Sequence, residues 1–305
     1  AALEHIAPRL RGCRVRAEFL VLLAGGEAGL PDQAGGFPLR EAPLERPTCG
    51  DALRAAVREA RGDWLITLEN PSPPDASLVF GFCHRRNQAD LVIASRYVRG
   101  GAYSMPGLRS VISRTLNRLY RMALSLPVHD LSSGRRMYRT SMLRRVPIQG
   151  DDYDVLMEVL LRFMSKGGSV EELPFHYEST RYRQEPGTAL RLVRSSLRTL
   201  KRMHALRNSI DFPDYDYRAY DSRIWLQRYW QRKRFQIIRR FTDGPGRILD
   251  VGCGSSRIIT TRPEMFGLDI NINRLRFLRD KLPRRLQATA GALPFADEHF
   301  DTVLS

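Results

Sequence analysis

The sequence has few cysteines, no long apolar run and fewer acidic than basic residues. Its four cysteines stand far apart, which argues against a zinc site and favours a reducing compartment. They are Cys13, Cys49, Cys83 and Cys253. No apolar run reaches the roughly 18 residues that a membrane-spanning helix needs. The chain starts without a methionine or the apolar core of a secretory signal, so we expect a cytoplasmic protein whose two ends are missing from this sequence.

The shortage of acidic residues gives the chain a net charge of +16, from 49 lysines and arginines against 33 acids. This charge favours anionic partners such as phosphorylated lipid, an anionic membrane surface or nucleic acid. An arginine-rich composition without functional meaning is the alternative. Two basic amphipathic helices are predicted, over 105–126 and 188–206. The second can lie on a membrane surface, but a domain-packing helix with a solvated basic face is the favoured interpretation. Nucleic acid is the least favoured partner, because the aromatic residues are not interleaved with the basic helix as stacking platforms.

Short apolar runs alternate with helical patterns, which favours an α/β fold with a parallel sheet covered by helices. The predicted strands lie near 18–23, 64–68, 90–95, 247–251 and 265–268. The stretch 208–222 is acidic, aromatic and poor in aliphatic residues, and we predict a linker there. The predicted division of the chain is a first domain over 1–185, a basic helix and linker over 186–222, and a second domain over 223–305.

Four segments of the first domain occur in the order in which one enzyme family carries them. They are GDALRAAVREARGDWLITLENPSPPD (50–75), ADLVIASRYVRGG (89–101), LRSVISRTLNRLYRMALSLPVHDLSSGRRMYR (108–139) and MEVLLRFMSKGGSVEELPFHYESTR (157–181). With these segments the domain resembles the inverting family 2 glycosyltransferases, and among them the dolichol- and polyprenyl-phosphate sugar synthases. The resemblance implies a GT-A fold, a Rossmann-like sheet. It also implies sugar transfer from a nucleotide sugar to a polyprenyl phosphate, with a divalent metal, Mg or Mn.

The resemblance also implies the residues of the sugar-transfer site. The implied catalytic residues are Arg96, Asp130 and Arg136. The implied substrate-binding residues are Ser95, Tyr97, Arg109, Ser113 and Ser133. For Arg96 a salt bridge at the sheet edge is the alternative, and for Asp130 the alternative is a turn cap.

The acids that hold the metal in this family are largely replaced. The family's D-A-D motif falls on Thr67, Leu68 and Glu69, which leaves Glu69 as the candidate metal ligand. The two acids of the nucleotide-binding turn fall on Leu23 and Ala24, and the family's opening strand is absent. A metal site is therefore doubtful, and two interpretations stay open: an active sugar transferase, or a degenerate domain that serves as a binding module.

A second constellation lies near the end of the chain. RILDVGCGSS (247–256) is predicted to be a strand that runs into a glycine turn, and MFGLD (265–269) is predicted to be a second strand that ends in an acid. ALPFADEHFDTVLS (292–305) supplies a third element. Together they resemble the class I methyltransferases, which implies S-adenosylmethionine as cofactor and a Rossmann-like domain that is incomplete in this sequence.

The resemblance assigns roles to single residues of this domain. Asp250, Gly252 and Gly254 would hold the amino-acid end of the cofactor, and Asp269 would hold its ribose. Asp301 would close the next strand and complete the cofactor site. Glycines at the turn let a ligand approach the backbone, and an acid at the end of the second strand can accept hydrogen bonds from ribose hydroxyls.

The sequence thus predicts a glycosyltransferase–methyltransferase fusion that acts in lipid-linked glycan or cell-envelope polysaccharide synthesis, peripherally at the inner face of the membrane. The alternative is a methyltransferase with a degenerate glycosyltransferase domain as a binding module. A nucleic-acid-binding protein is the minor alternative.

Overall fold

The computed structural model describes residues 2–26, 28–68, 76–104, 108–178, 188–262 and 264–305. The protein is of the α/β class. It divides into two compact units, which consist of 1–163 with 169–204 and of 164–168 with 205–305.

The elements of the first unit alternate between strand and helix as the sequence predicts. Its strands are β1 (Phe19–Ala24), β2 (Gln33–Ala34), β3 (Phe37–Leu44), β4 (Trp64–Thr67), β5 (Leu91–Ser95), β6 (Ala102–Ser104), β7 (Arg136–Arg139), β8 (Val170–Pro174) and β9 (His176–Glu178). Its helices are α1 (Ala2–Gly12), α2 (Cys49–Glu59), α3 (Ala76–Arg85), α4 (Leu108–Ala123), α5 (Thr140–Leu143), α6 (Val155–Ser165) and α7 (Thr188–Arg207), of which α6 and α7 end in the second unit.

The central sheet of the first unit has the strand order β4-β7-β5-β8. β5 and β8 are parallel, whereas β7 runs antiparallel to both β4 and β5, so the purely parallel sheet that the sequence predicts is wrong for this unit. The antiparallel direction of β7 has a local cause. Arg96 follows the end of β5 and hydrogen-bonds Asp130, which precedes the start of β7. β7 therefore starts at the end of the sheet at which β5 stops.

The core of the first unit surrounds β5, all of whose residues are buried. An uninterrupted run of Leu, Val, Ile and Ala suits a strand that is covered on both faces. Phe82 of α3 and Met137 of β7 pack into the same cluster. This packing fixes the carboxyl end of β5, where Ser95, Arg96 and Tyr97 follow one another.

A second sheet of this unit has the order β1-β3-β2. β1 and β3 are parallel, with Phe19 opposite Leu39, and β2 and β3 form an antiparallel hairpin. In the described part of the chain no ladder joins β1 to β4, although Phe19 and Ile66 pack against the same apolar cluster. β6 and β9 form a separate parallel pair.

The second unit is built on a parallel sheet with the order β12-β11-β10-β13. Its strands are β10 (Ile248–Val251), β11 (Phe266–Asp269), β12 (Arg285–Gln287) and β13 (Thr302–Leu304), and its helices are α8 (Tyr215–Ala219), α9 (Trp225–Thr242), α10 (Arg257–Thr260) and α11 (Ile272–Phe277). The strands near 247–251 and 265–268 are confirmed to within a residue or so. Ile248, Met265 and Leu278 belong to the core under this sheet.

The stretch 208–222, for which we predicted a linker, is folded as part of the second unit. Arg207 is fully buried, forms an ion pair with Asp214 and stacks on Phe212, with its guanidinium carbon 4.3 Å from the ring centre. Arg218 reaches the same carboxylate at 3.0 Å. Because a buried charge is tolerated only when it is paired, this cluster fixes the segment, and the second unit starts near Ala205 and not near residue 223. Among the described helices none has the length and apolarity that crossing a membrane requires.

Candidate functional site

The glycine turn after β10 is shaped by two residues with left-handed backbone angles. Gly252 has φ +73° and Gly254 has φ +56°. The Gly252 and Cys253 N–H groups donate to the Leu268 carbonyl at 2.7 and 3.0 Å, which ties the turn to β11. A Cβ atom on Gly254 would lie 2.9 Å from Asp216 Oδ2, whereas a Cβ on Gly252 would meet nothing within 4 Å. The left-handed angle and the nearby Asp216 carboxylate therefore favour glycine at 254, and the space beside 252 is open.

Asp269, the last residue of β11, lies directly against this turn. Its Oδ2 accepts a hydrogen bond from the Gly254 N–H at 2.8 Å, and its Oδ1 accepts one from the Asn271 N–H at 2.7 Å. Its side chain is almost fully buried. A carboxylate has about four acceptor positions, so roughly half of its capacity remains for a ligand such as a pair of ribose hydroxyls.

Asp250 adds a second acid to the same end of the sheet. Burial raises the pKa of Asp250 to about 6; the charge of Arg234 opposes the rise and the charge of Asp269 adds to it. Bringing a cation close to this carboxyl would favour its ionised form. Arg274, whose Nη1 lies 3.8 Å from Asp269 Oδ2, offsets part of this negative charge. The acids at the turn still outnumber it and favour a positively charged ligand.

The segment that carries α8 covers the glycine turn, which sequence reasoning missed. Asp216 places its carboxylate beside Gly254. Tyr217 packs edge-on against Phe277 at 5.6 Å, and the guanidinium carbon of Arg257 lies 4.3 Å from the Tyr217 ring centre. Arg257 also pairs with Asp221 at 2.5 Å. Several tyrosines in a short acidic stretch were the available signal, since linkers are poor in aromatic residues.

Asp301 does not belong to this site. β10 and β13 are parallel, with Ile248 opposite Thr302, so Asp301 lies at the amino end of the sheet, beside Arg247. Its Oδ2 accepts a hydrogen bond from the Arg247 N–H at 2.7 Å. The glycine turn and Asp269 are at the carboxyl end. This placement contradicts a cofactor contact for Asp301, because the register of a parallel pair separates the two ends of the strands.

The fit of S-adenosylmethionine to the second unit rests on this chemistry. The ligand carries a cationic sulfonium and an ammonium group, and Asp216, Asp250 and Asp269 converge on the turn. Ser255 is fully buried, and its Oγ finds no hydrogen-bond partner within the described ranges. Space beside Gly252, acids around the turn and a hydroxyl without a partner fit such a group.

In the first unit, the two residues Arg96 and Asp130 form a bidentate ion pair. Arg96 Nε lies 2.8 Å from Oδ2, and Nη2 lies 2.7 Å from Oδ1. Burial alone would raise the pKa of Asp130, but the hydrogen bonds and charge of Arg96 outweigh it and hold that pKa below its usual range. The Asp130 carboxylate also accepts from the N–H groups of Arg96, Ser132 and Ser133.

Both structural alternatives for this pair are therefore realised: Arg96 makes a salt bridge and Asp130 caps a turn. With its acceptor positions filled and no solvent exposure, Asp130 holds the turn and has no lone pair to take a proton from a substrate. One Arg96 nitrogen, Nη2, also donates to the Ser132 hydroxyl at 2.7 Å.

Arg136 is fully buried at the start of β7. Its guanidinium donates to the carbonyls of Ser133, Leu131 and Leu156 at 2.7–2.8 Å. These backbone acceptors use the donors that would otherwise bind a phosphate. The geometry contradicts a direct catalytic contact for Arg136 and gives it the role of holding the turn against α6.

The predicted substrate-binding residues lie near the carboxyl end of β5. Ser95 is buried and its Oγ accepts from the Tyr97 N–H at 3.3 Å. The Tyr97 and Ser113 hydroxyls are 3.4 Å apart, and the guanidinium carbon of Arg96 lies 5.2 Å from the Tyr97 ring centre. Ser133 is buried in the turn that Asp130 caps. The side chain of Arg109 lies outside the described part, so its predicted role stays a prediction.

Glu172 of β8 is a positioning residue that the sequence analysis quoted without a role. Its carboxylate accepts from the N–H groups of His129 and Asp130 at 2.8 and 2.9 Å. The His129 Nδ1 lies 2.9 Å from the same carboxylate. Glu172 therefore fixes the loop that presents Asp130 to Arg96, from the strand next to β5.

At the predicted metal position, the Thr67 side chain is not available as a metal ligand. The Thr67 hydroxyl donates to the Gly134 carbonyl at 2.6 Å and accepts from the Arg136 N–H at 3.2 Å, so it is used inside the sheet. Glu69 lies outside the described residues. Within the described ranges no group of three or more His, Cys, Asp or Glu side chains is placed to hold a metal ion.

Comparisons with known proteins agree with this two-part organisation. A model of the family described as methyltransferase domain matches residues 249–305. Polyprenol monophosphomannose synthase of Mycolicibacterium smegmatis is 36% identical over 93 residues, which are 29% of this chain and 35% of that protein. Dolichol-phosphate mannosyltransferase of Pyrococcus furiosus is 28% identical over 167 residues, 52% of this chain and 46% of that protein. The chain thus spans between a third and a half of the length of these relatives.

Similar solved structures include glucosyl-3-phosphoglycerate synthase from Mycobacterium tuberculosis with Mn²⁺, uridine-diphosphate-glucose and phosphoglyceric acid. That structure is 19% identical, with a TM-score of 0.48 over 67% of this chain and 75% of that one. The chain thus contains a segment that matches the methyltransferase-domain model, and part of it is similar in sequence to the two curated relatives. A methyltransferase domain implies S-adenosylmethionine as cofactor.

Proposed function

We propose that the second unit binds S-adenosylmethionine at the glycine turn between β10 and β11, and that the chain acts in lipid-linked glycan or cell-envelope polysaccharide synthesis. The observation that carries the proposal is the placement of Asp269 and Asp250 around a turn whose left-handed backbone angles favour glycine. The bound cofactor supplies an electrophilic methyl group on a sulfonium. The chain's own residues supply the cradle, the acceptors for hydroxyls and the negative charge.

Each residue of the cradle has a defined task in this proposal. Asp269, held by the N–H groups of Gly254 and Asn271, uses its free lone pairs for the ribose hydroxyls. Asp250 and Asp216 face the cationic end of the ligand. Gly252 leaves the space beside the backbone open. Ligands of open α/β sheets bind at the carboxyl ends of the strands, which is where these residues lie.

For the first unit, we propose sugar transfer from a nucleotide sugar to a polyprenyl phosphate, with the chain peripheral at the inner face of the membrane. The names of the two curated relatives and the cluster of Arg96, Tyr97 and Ser113 support this proposal. Thr67 favours a second candidate, a degenerate unit that binds a lipid-linked substrate for the methyltransferase. The Thr67 hydroxyl is bonded inside the sheet and Leu23–Ala24 offer no carboxylate, so we expect a weak donor site.

Equilibrium binding of S-adenosylmethionine to the chain tests the central part of the proposal. Asp269→Ala removes acceptors for the ribose, and hydrogen bonds to a charged group contribute about 1.5–3 kcal/mol each. Losing one weakens binding by roughly tenfold or more. Asp297→Ala is the matched control, because Asp297 is an exposed acid of the same unit. Equal affinity of wild type and Asp269→Ala, with both folded by circular dichroism, would show that Asp269 does not hold the cofactor.

A further inference from the structure

Helix α9 turns most of its large apolar side chains to solvent. Their exposed fractions are 46% or more. They are Trp225 67%, Leu226 60%, Tyr229 57%, Trp230 67%, Ile237 46% and Phe241 70%. A soluble protein rarely exposes so many large apolar groups together, and such patches mark interaction surfaces. We call these six side chains the aromatic face of α9.

The aromatic face occupies one side of the helix. At 3.6 residues per turn its six members fall within an arc of about 160°. Phe235, Ile238 and Thr242 lie on the other side and are more deeply buried. Phe235 packs edge-on against Tyr220 with the ring centres 5.3 Å apart. The inner side thus fixes α9 within its own unit, and the outer side is largely exposed to solvent.

The helix carries positive charge only. Between Trp225 and Thr242 there are six lysines and arginines and no acid. Two of these cations, Lys233 and Arg240, lie within the arc of the aromatic face, are exposed, and form no ion pair among the described residues. Arg232 and Arg239 flank the arc and pair with Asp221 and Asp243 at 3.2 Å. Long basic side chains can extend their charges to lipid headgroups while apolar neighbours enter the acyl boundary.

We propose that the aromatic face of α9 lies in the plane of an anionic lipid surface and attaches the methyltransferase unit to it. Tryptophan and tyrosine concentrate at membrane–water interfaces, and anionic lipids attract basic segments. An amphipathic helix of low net hydrophobicity with Trp, Phe and Leu on one face and Lys and Arg around it binds such a surface without crossing it. The helix is about 27 Å long, and it lies flat because its inner side is held by the protein.

The charge pattern decides against a second copy of this chain as the occupant. In a symmetric dimer the same surface would meet itself, so the interface would bring together Lys233 and Arg240 of both copies with no acid of the helix to pair with them. Like charges pressed together oppose such a contact, whereas a lipid surface of opposite sign attracts them. The inference rests on the peripheral membrane location in the proposed function and assigns that contact to α9. Its test involves neither methyl nor sugar transfer, so it can fail while the proposed cofactor binding holds.

α4 is the competing surface within the chain, since Val111, Leu119 and Met122 are also exposed there and the helix is basic. Its exposed large residues are aliphatic. The aromatic face of α9 contains three Trp or Tyr residues, the types that prefer the interface. We therefore expect α9 to contribute more to membrane binding than α4.

Sedimentation with vesicles tests the proposal. The chain is mixed with vesicles of phosphatidylcholine, with or without about 30% phosphatidylglycerol, and the partition coefficient is measured. We expect binding to the anionic vesicles that weakens with salt. Trp225→Ala with Trp230→Ala should lower it by about tenfold or more. Lys233→Gln with Arg240→Gln should lower it by about fivefold per charge on anionic vesicles only.

Matched controls test whether membrane binding depends on the aromatic face or only on the total number of exposed apolar groups and cations. Leu286→Ala with Leu293→Ala removes exposed apolar groups elsewhere in the same unit. Arg16→Gln with Arg145→Gln removes two exposed cations of the other unit. Both control pairs should bind anionic vesicles as wild type does. Circular dichroism confirms that each variant is folded.

Three results would overturn the proposal. The first is equal partitioning of wild type and both α9 variants. The second is loss of binding in Leu119→Ala with Met122→Ala but not in the α9 variants, which would place the contact on α4. The third is a wild-type dimer in sedimentation equilibrium that the Trp225→Ala, Trp230→Ala variant dissociates, which would make a second copy the occupant.

Discussion

Replacing Asp250 with Asn should stabilise the second unit of the protein while weakening its hold on a cationic cofactor. The carboxyl is largely buried beside Asp269, and burial raises its pKa from 3.8 to about 6. A carboxyl whose pKa is raised in the folded state stabilises the fold when protonated, below pH 4 or so, and that contribution is lost as pH rises through 6. At pH 7 and above, wild type bears the full cost of an ionised buried group, which Asn avoids.

The size of the stabilisation by Asp250→Asn follows from the shift in the pKa of Asp250. A change of about two pKa units at 1.36 kcal/mol per unit gives an upper value of about 3 kcal/mol. Because Asp250 retains some exposure to solvent, we expect about 1–3 kcal/mol at pH 7.5, about a third of that at pH 4.5, and close to zero near pH 3. This is a large fraction of the stability of an ordinary domain.

Hydrogen exchange of the β10 amides in the ligand-free chain measures this effect, because two units in one chain do not give a single unfolding transition. Asp250→Asn should slow exchange at pH 7.5 and leave it unchanged near pH 3. The same variant should lose the pH dependence of S-adenosylmethionine binding, which in wild type should weaken as pH falls below 6 and Asp250 becomes protonated. A variant that is less stable than wild type at pH 7.5, or equally shifted at both pH values, would refute the reasoning.

Two further predictions concern the first unit. Arg96→Met leaves the fully buried Asp130 carboxylate without its bidentate partner, which should destabilise the unit by about 3–5 kcal/mol at pH 7. Since Arg96 holds the pKa of Asp130 low, the loss should shrink towards pH 4 when hydrogen exchange of the β5 amides is compared in the wild type and the variant; a pH-independent loss would point to packing instead. Calorimetry with nucleotide sugars and Mn²⁺ should show weak or no binding, because Thr67 is engaged inside the sheet. Micromolar binding that Glu69→Ala abolishes would show that Glu69 suffices as a metal ligand.

Local patterns predicted much of the secondary structure. β1, β4, β5, β10 and β11 fall within a residue or two of their predicted positions. Each is a short apolar run ended by a turn or a polar residue, so the position of the strand can be predicted from the local sequence alone. The glycine turn after β10 is equally local, because left-handed angles at 252 and 254 favour glycine.

The sequence-based predictions failed where a residue's position depends on its contacts with other elements of the fold. In the pair Arg135–Arg136 the sequence does not say which side chain faces inward. The structure buries Arg136 among carbonyls of the Asp130 turn and stacks Arg135 over Phe175, with its guanidinium carbon 4.6 Å from the ring centre. Asp301 is adjacent to a strand of the cofactor sheet, but the parallel register places it at the wrong end.

The folded state of 208–222 was hidden for a similar reason. Few aliphatic residues suggested a linker, but Arg207 and Asp214 form a buried ion pair and Tyr217 packs on Phe277. The first contact joins residues seven positions apart and the second joins residues 60 positions apart, and neither is encoded in an apolar pattern. These contacts can be recognised only once the fold places α8 beside the glycine turn.

Hydrogen–deuterium exchange of the chain with and without S-adenosylmethionine tests the central claim most directly. The account predicts that the cofactor protects three segments together: the glycine turn at 251–256, the end of β11 at 267–271 and the α8 segment at 214–219. Peptides around Asp301 and Arg247, at the opposite end of the sheet, should change little. Protection confined to other parts of the chain, or none at saturating cofactor, would contradict the assignment of this turn as the cofactor site.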